Sequence, residues 1–226
     1  MLNIAANIDN IKTRIVRAAR KRNIDPHSVT LIAVSKMVDI PLVEQVYNLG
    51  ITNFGENRVT ELNRKQQMLP GANWHMIGRL QTNKVKDVVG HTCLIHSLDR
   101  WNLAEALNRR AENLKIIVPT LLEVNISGEE QKAGIAPYLV ESFLAEVGQL
   151  KWLKVLGLMT LAPINDNQEE SRPIFKELYA LRNQLIKSSF SGVDLKYLSM
   201  GMSQDFEVAV EEGSNMVRIG TSIFKG

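Results

Sequence analysis

Eight short runs of branched and apolar residues recur along this chain, and each is followed by a stretch with helical spacing. The runs lie at residues 30–35, 52–55, 74–78, 92–97, 119–125, 155–160, 195–200 and 216–220. They are mostly continuous rather than alternating, as expected of parallel strands covered on both faces. Helical patterns fall between them, at about residues 42–49, 57–68, 81–89, 100–113, 135–150, 167–187 and 204–212. Eight βα units in one chain close a barrel, and a doubly wound open sheet is the other arrangement these elements allow. A further helix precedes the first strand, with Ile4, Ile8, Ile11, Ile15 and Ala19 spaced by three and four. The expected fold class is α/β: a single (β/α)8 TIM barrel with an extra N-terminal helix, residues 1–226 forming one domain.

Composition removes several function classes. With 226 residues, 45% apolar and 23% charged, the chain is globular in type. No segment reaches the roughly 20 apolar residues of a membrane span. The first residues lack the continuous apolar core of a secretory signal, which predicts a cytoplasmic protein with no membrane partner. Lys and Arg total 27 against 24 Asp and Glu, a net charge of only +3. The one basic concentration is Lys12, Arg14, Arg17, Arg20, Lys21 and Arg22 on the first helix. No aromatic residues interleave it, so it reads as a solvated face and no nucleic acid is expected as a partner. Cys93 stands alone, which excludes an intramolecular disulfide, and its apolar run predicts a core position. His27, His75, His91 and His96 are too scattered for a metal site, with His96 read as a hydrogen-bonded residue at a strand end.

In an α/β barrel the reactive groups sit where strands end. The first strand ends in Ser35-Lys36, and a lysine desolvated at the barrel mouth can attack an aldehyde to form a Schiff base. Phosphate sites in such barrels come from the seventh and eighth loops. The seventh offers Ser199 and Ser203 around Gly201; the eighth offers Gly220 and Thr221 before a short terminal segment. An aldehyde-seeking lysine facing a phosphate cradle points to pyridoxal 5′-phosphate (PLP). Arg218, two residues before Gly220 on the same strand face, then reaches toward the pyridine nitrogen. An arginine there makes the ring a weak electron sink, which suits limited racemisation or no turnover.

Six segments carry a family resemblance: Ala33-Val34-Ser35-Lys36, Phe54-Gly55-Glu56-Asn57, Trp74-His75-Met76-Ile77-Gly78, Leu80-Gln81-Thr82-Asn83-Lys84, Gly157-Leu158-Met159-Thr160 and Leu198-Ser199-Met200-Gly201-Met202-Ser203-Gln204-Asp205. Together with Met216-Val217-Arg218-Ile219-Gly220-Thr221, they resemble the YggS/PROSC family of pyridoxal phosphate homeostasis proteins. The resemblance implies a fold similar to the N-terminal barrel of alanine racemase, with PLP held as a Schiff base on Lys36. It implies phosphate contacts from the Ser199–Ser203 loop, Gly220 and Thr221, with Arg218 near the pyridine nitrogen, Asn57 close to the cofactor and Met159 lining the pocket. It further implies a protein that buffers the cofactor and delivers it to PLP-dependent apoenzymes, influencing amino-acid and keto-acid metabolism indirectly and without robust turnover. Two departures stand out: Met37 follows the lysine where the family usually has Thr, and Arg79 adds a charge near the mouth.

The alternative is a PLP-dependent amino-acid racemase of weak activity. Racemisation needs an acid/base group on each face of the substrate. Lys36 supplies one, whereas Tyr47, Tyr138, Tyr179 and Tyr197 all fall within helices or strands. With about half a dozen residues after the eighth strand, no second domain is expected to supply the other. The same argument predicts a monomer.

Overall fold

The computed structural model describes residues 3–129, 131–164 and 166–225. Its eight strands are β1 Thr30–Val34, β2 Asn53–Glu56, β3 Asn73–Met76, β4 Leu94–Leu98, β5 Val118–Glu123, β6 Leu153–Met159, β7 Val193–Ser199 and β8 Met216–Ile219. They pair in sequence order, all parallel, and β8 returns to β1 to close the barrel. The α-helices are α1 Ile4–Lys21, α2 Ile40–Asn48, α3 Val59–Met68, α4 Trp101–Leu114, α5 Val140–Val147, α6 Arg172–Leu185, α7 Phe206–Glu211 and α8 Thr221–Phe224. The closed barrel with an additional first helix is the architecture the alternation of segments predicts.

Strand parity decides what each side chain meets. On β1, Ala33 faces outward into a cluster with Val43, Val46 and Val217, while Ile32 faces inward. Inside, Ile32, Leu94, Leu121, Met159 and Met216 form an apolar layer that fills the barrel beneath its mouth. Outside, Leu103, Leu107, Leu144, Phe175 and Leu178 seal helices onto the sheet.

Helix α1 is capped by Asn3, whose Oδ1 accepts from the Ala6 amide at 3.0 Å. Its isoleucine stripe packs with Phe206, Val217 and Ile223. The opposite face is partly neutralised: Arg14 pairs with Glu207 and Lys21 with Glu211, each at 2.6 Å. These pairs tie the basic surface to α7.

Three local expectations change. The pattern at 81–89 is a 3-10 turn, Thr82–Asp87, because Val85 and Val88 recur at a spacing of three and bond i to i+3. The pattern at 135–150 becomes helical only from Val140: Pro137 forces Ala136 into an extended conformation (ψ 140°) and starts a short 3-10 turn. Cys93 lies just before β4 as an exposed residue, not a core one, because the strand starts at Leu94. Its thiol is nonetheless turned onto the Trp74 carbonyl at 3.2 Å, and desolvation of the sulfur pushes it up to about 12. Among the described residues no helix is long and apolar enough to cross a membrane, and no cluster of ligating side chains could hold a metal ion.

Candidate functional site

A cavity of about 640 Å³ opens at the C-terminal ends of the strands. Six of the sequence-predicted residues line it: Lys36, Asn57, Ser203, Arg218, Gly220 and Thr221. Met159 and Ser199 do not. Pairing aligns Met159 with Ser199 and Ser199 with Met216, so these three share one level of the barrel. Arg218 is two residues further toward the mouth. Met159 therefore belongs to the apolar layer under the cavity, and Ser199 is fully buried beneath Arg218.

Lys36 follows β1 with the inward parity of Ile32 and Val34. It is exposed at the cavity wall rather than desolvated, because the chain reverses at once through Met37, which adopts a left-handed φ of 58°. Ser35 has the opposite parity and carries the anchor. Its Oγ donates to Glu56 Oε1 at 2.7 Å. The ammonium of Lys65, from α3, donates to the same carboxylate oxygen and to the Ser35 carbonyl, both at 2.6 Å. Lys65 and Glu56 are 0% and 1% exposed. The peptide that precedes Lys36 is thus held by a buried ion pair. Asn57 is placed by the adjacent loop: at Gly78 a Cβ would come within 2.4 Å of the Asn57 carbonyl, so only glycine allows the two loops to meet.

The loops after β7 and β8 form one unit. Gly201 turns with φ +94°, and a Cβ there would stand 2.5 Å from that of Ala209. Asp205 Oδ1 accepts from the Met202 amide at 2.6 Å and fixes the loop. Ser203 Oγ accepts from the amides of Gly220 (3.3 Å) and Ser222 (3.4 Å), which bridges the two loops. The amides of Ser203, Gln204 and Thr221 have no acceptor among the described residues. Hydroxyls and free amides of this kind suit a phosphate group.

Arg218 is 4% exposed and presents one edge to the cavity. Its Nη1 donates to Ser199 Oγ at 2.5 Å and its Nη2 to the Thr160 carbonyl at 2.9 Å. Burial brings the guanidinium down to about 10, still cationic at neutral pH.

Sequence reasoning missed Glu123. It ends β5, lines the cavity and is 5% exposed. Desolvation, then the neighbouring Asp99 carboxylate, raises it to about 7, while Arg218 and Arg79 oppose the rise. Parity could have found it, since it lies two residues before Asn125 on the same strand face. Arg79 lines the mouth and pairs with Asp99 at 3.3 Å, which settles the charge its position introduces. Lys132, from the loop after β5, also lines the cavity, and no local pattern marks it.

The alanine racemase N-terminal domain family model matches residues 3–226. A pyridoxal phosphate homeostasis protein of Aquifex aeolicus is 42% identical over 225 residues, covering 99% of this chain and 98% of that protein. The homologous protein of Haemophilus influenzae is 37% identical, covering 99% and 95%. PipY of Synechococcus elongatus, solved with PLP bound, superposes with a TM-score of 0.85 at 35% identity, covering 98% of this chain and all (100%) of that one. Alanine racemase from Clostridium difficile shares the fold at a TM-score of 0.75 and 15% identity, and this chain spans 55% of its length. On these matches the chain belongs to the pyridoxal phosphate homeostasis protein family, built on the alanine racemase N-terminal domain.

Proposed function

We propose that the protein binds PLP in this cavity and acts in its homeostasis, storing the cofactor and supplying it to PLP-dependent apoenzymes. The observation that carries this reading is the joint geometry of Lys36 and the Ser203–Gly220–Thr221 cradle on one cavity. Lys36 would hold the cofactor covalently through its ε-amine, and its side chain is exposed at the cavity wall where other amines can reach the site. The free amides of Ser203, Gln204 and Thr221 receive the phosphate. Arg218 would donate to the pyridine nitrogen, and Asn57 would lie close to the cofactor. Ser199 and Met159 support this arrangement from below. When bound, the cofactor supplies an aldehyde for amines and a ring that delocalises negative charge. An arginine donor at the ring nitrogen weakens that second property, which favours a carrier over a catalyst. The protein works as a cytoplasmic monomer on this reading.

The test is optical. Protein purified with PLP should show a visible absorbance that borohydride fixes and Lys36→Ala removes. Protein that stays colourless with added PLP overturns the proposal.

One observation favours a second reading, weak racemisation. Glu123 is a carboxyl that exchanges protons near neutrality and shares the cavity with Lys36, which gives a candidate for the second acid/base group. Exchange of an amino acid's α-hydrogen with deuterated solvent, lost in Glu123→Gln but not in a surface control, would support it; no exchange above free PLP would remove it.

A further inference from the structure

The barrel interior is not uniformly apolar. From Arg218 a single file of polar side chains runs through it: Ser199 on β7, His96 on β4, His75 on β3 and Asn53 on β2. His96 Nδ1 lies 3.0 Å from Ser199 Oγ, His96 Nε2 lies 3.0 Å from His75 Nδ1, and His75 Nε2 lies 3.1 Å from Asn53 Oδ1. Ser199 and His96 are 0% exposed and His75 is 3% exposed.

The two ends of this file set every proton in it. Arg218 is a donor only, so Ser199 Oγ accepts from it. At the far end, the Asn53 amide nitrogen is turned to Thr52 Oγ1 at 3.4 Å, so its oxygen faces His75. His75 therefore carries its proton on Nε2 and accepts at Nδ1. His96 then carries its proton on Nε2, donates to His75, and accepts at Nδ1 from the Ser199 hydroxyl. Each group donates once in the same direction, and both imidazoles are neutral. Burial agrees: it lowers His75 to about 4 and His96 well below its ordinary range, with His75 and Arg218 pressing His96 further the same way.

We propose that Ser199, His96, His75 and Asn53 are positioning residues that orient the Arg218 guanidinium toward the cavity through this one-directional hydrogen-bond chain. Without it, the Thr160 carbonyl would be the one remaining hydrogen-bond acceptor of the Arg218 side chain among the described residues, and a planar group bonded at one nitrogen can swing about that bond even with the Glu123 and Asp205 carboxylates nearby. The polar file explains why Ser199 is withdrawn from the phosphate loop: its hydroxyl is committed on both sides. It also explains why two histidines occupy strand positions where apolar side chains would fill a barrel. The inference rests on the PLP-binding reading only for what Arg218 faces, not for how Arg218 is held.

Nitrogen-15 NMR of the cofactor-free full-length chain tests it. His75 and His96 should both show the Nε2-protonated neutral tautomer at pH 7, and the Arg218 side-chain signals should be sharp and slow to exchange. Ser199→Ala, a small change in a filled layer, should leave the fold intact by circular dichroism. It should broaden the Arg218 signals and weaken PLP binding by about tenfold, as loss of a hydrogen bond to a charged group implies. His75→Leu should do the same, whereas His75→Gln, whose amide can both accept and donate, should restore most of the affinity. Sharp, unshifted Arg218 signals in Ser199→Ala, or an imidazolium at either histidine at pH 7, would overturn the proposal. Since these signals are read without cofactor, failure of PLP binding alone leaves this result standing.

Discussion

Replacing Lys65 with methionine removes one partner from a pair that water does not reach. The ammonium makes two bonds of 2.6 Å, to Glu56 Oε1 and to the Ser35 carbonyl. The carbonyl keeps a second donor, the Val38 amide at 3.0 Å, so its loss is small. Glu56 fares worse. It is 1% exposed and, among the described residues, would retain only the Ser35 hydroxyl at 2.7 Å. Breaking a buried pair from one side costs about 3–5 kcal/mol, because a charge is left without compensation. Removing both charges avoids that penalty, so Lys65→Met combined with Glu56→Leu should recover at least about 2 kcal/mol of it. Urea unfolding of the cofactor-free chain, followed by circular dichroism, gives both numbers. The loop carrying Lys36 should loosen in step, so PLP affinity should fall in the single variant. A cost below about 1 kcal/mol for Lys65→Met, or a double variant no more stable than the single, would refute the reasoning.

Three further outcomes are expected. Glu123 titrates near 7 in the fold against an ordinary 4.5, so its native form holds the extra proton and stability drops by about 3 kcal/mol as pH rises through that window. His75, lowered from 6.5 to about 4, loses stability in the opposite direction, as pH falls through 6.5 to 4. Glu123 offsets only part of the histidine slope, because His96 is lowered in the same direction as His75; Glu123→Gln should therefore steepen the loss between pH 6.5 and 5 by about 2 kcal/mol, read from urea unfolding. An unchanged profile counts against the placement of Glu123. Gly201→Ala should destabilise by about 2 kcal/mol or more, from its left-handed φ and the 2.5 Å clash with Ala209, measured by thermal melting. Ser203→Ala leaves the Gly220 and Ser222 amides without their acceptor. Inorganic phosphate should then protect the variant less, with about a tenfold weaker affinity by thermal shift.

The barrel was legible because eight continuous apolar runs leave few other ways to be buried. Lys36, Gly220 and Thr221 were legible because strand ends converge on one mouth. Height within the barrel was not. Parity says that Met159, Ser199 and Arg218 all face inward, but only the pairing of Ser199 with Met216 shows which of them stand one level down. Glu123 was hidden by a strand end set two residues too late, at Asn125. Lys65 left no trace at all: in a polar helical segment it reads as a solvated lysine, and only its partners Glu56 and Ser35, distant in sequence, draw it inside.

The seam between β7 and β8 has one paired position, Ser199 with Met216, where β6 and β7 share four. Side chains suture it: Ser214 Oγ lies 2.7 Å from the Met200 carbonyl, and Asn215 Oδ1 accepts from the Leu198 amide at 2.7 Å. An anion held across the Ser203–Gly220 bridge would fasten this same join from above, beside the β1–β8 junction that brings Lys36 to it. The earliest and latest strands of the chain must therefore meet before the site exists. A chain that lacks its last strand has only half of this anion cradle, and an anion bound across it would oppose separation of β7 from β8. Loading such a barrel doubles as a check that it was finished.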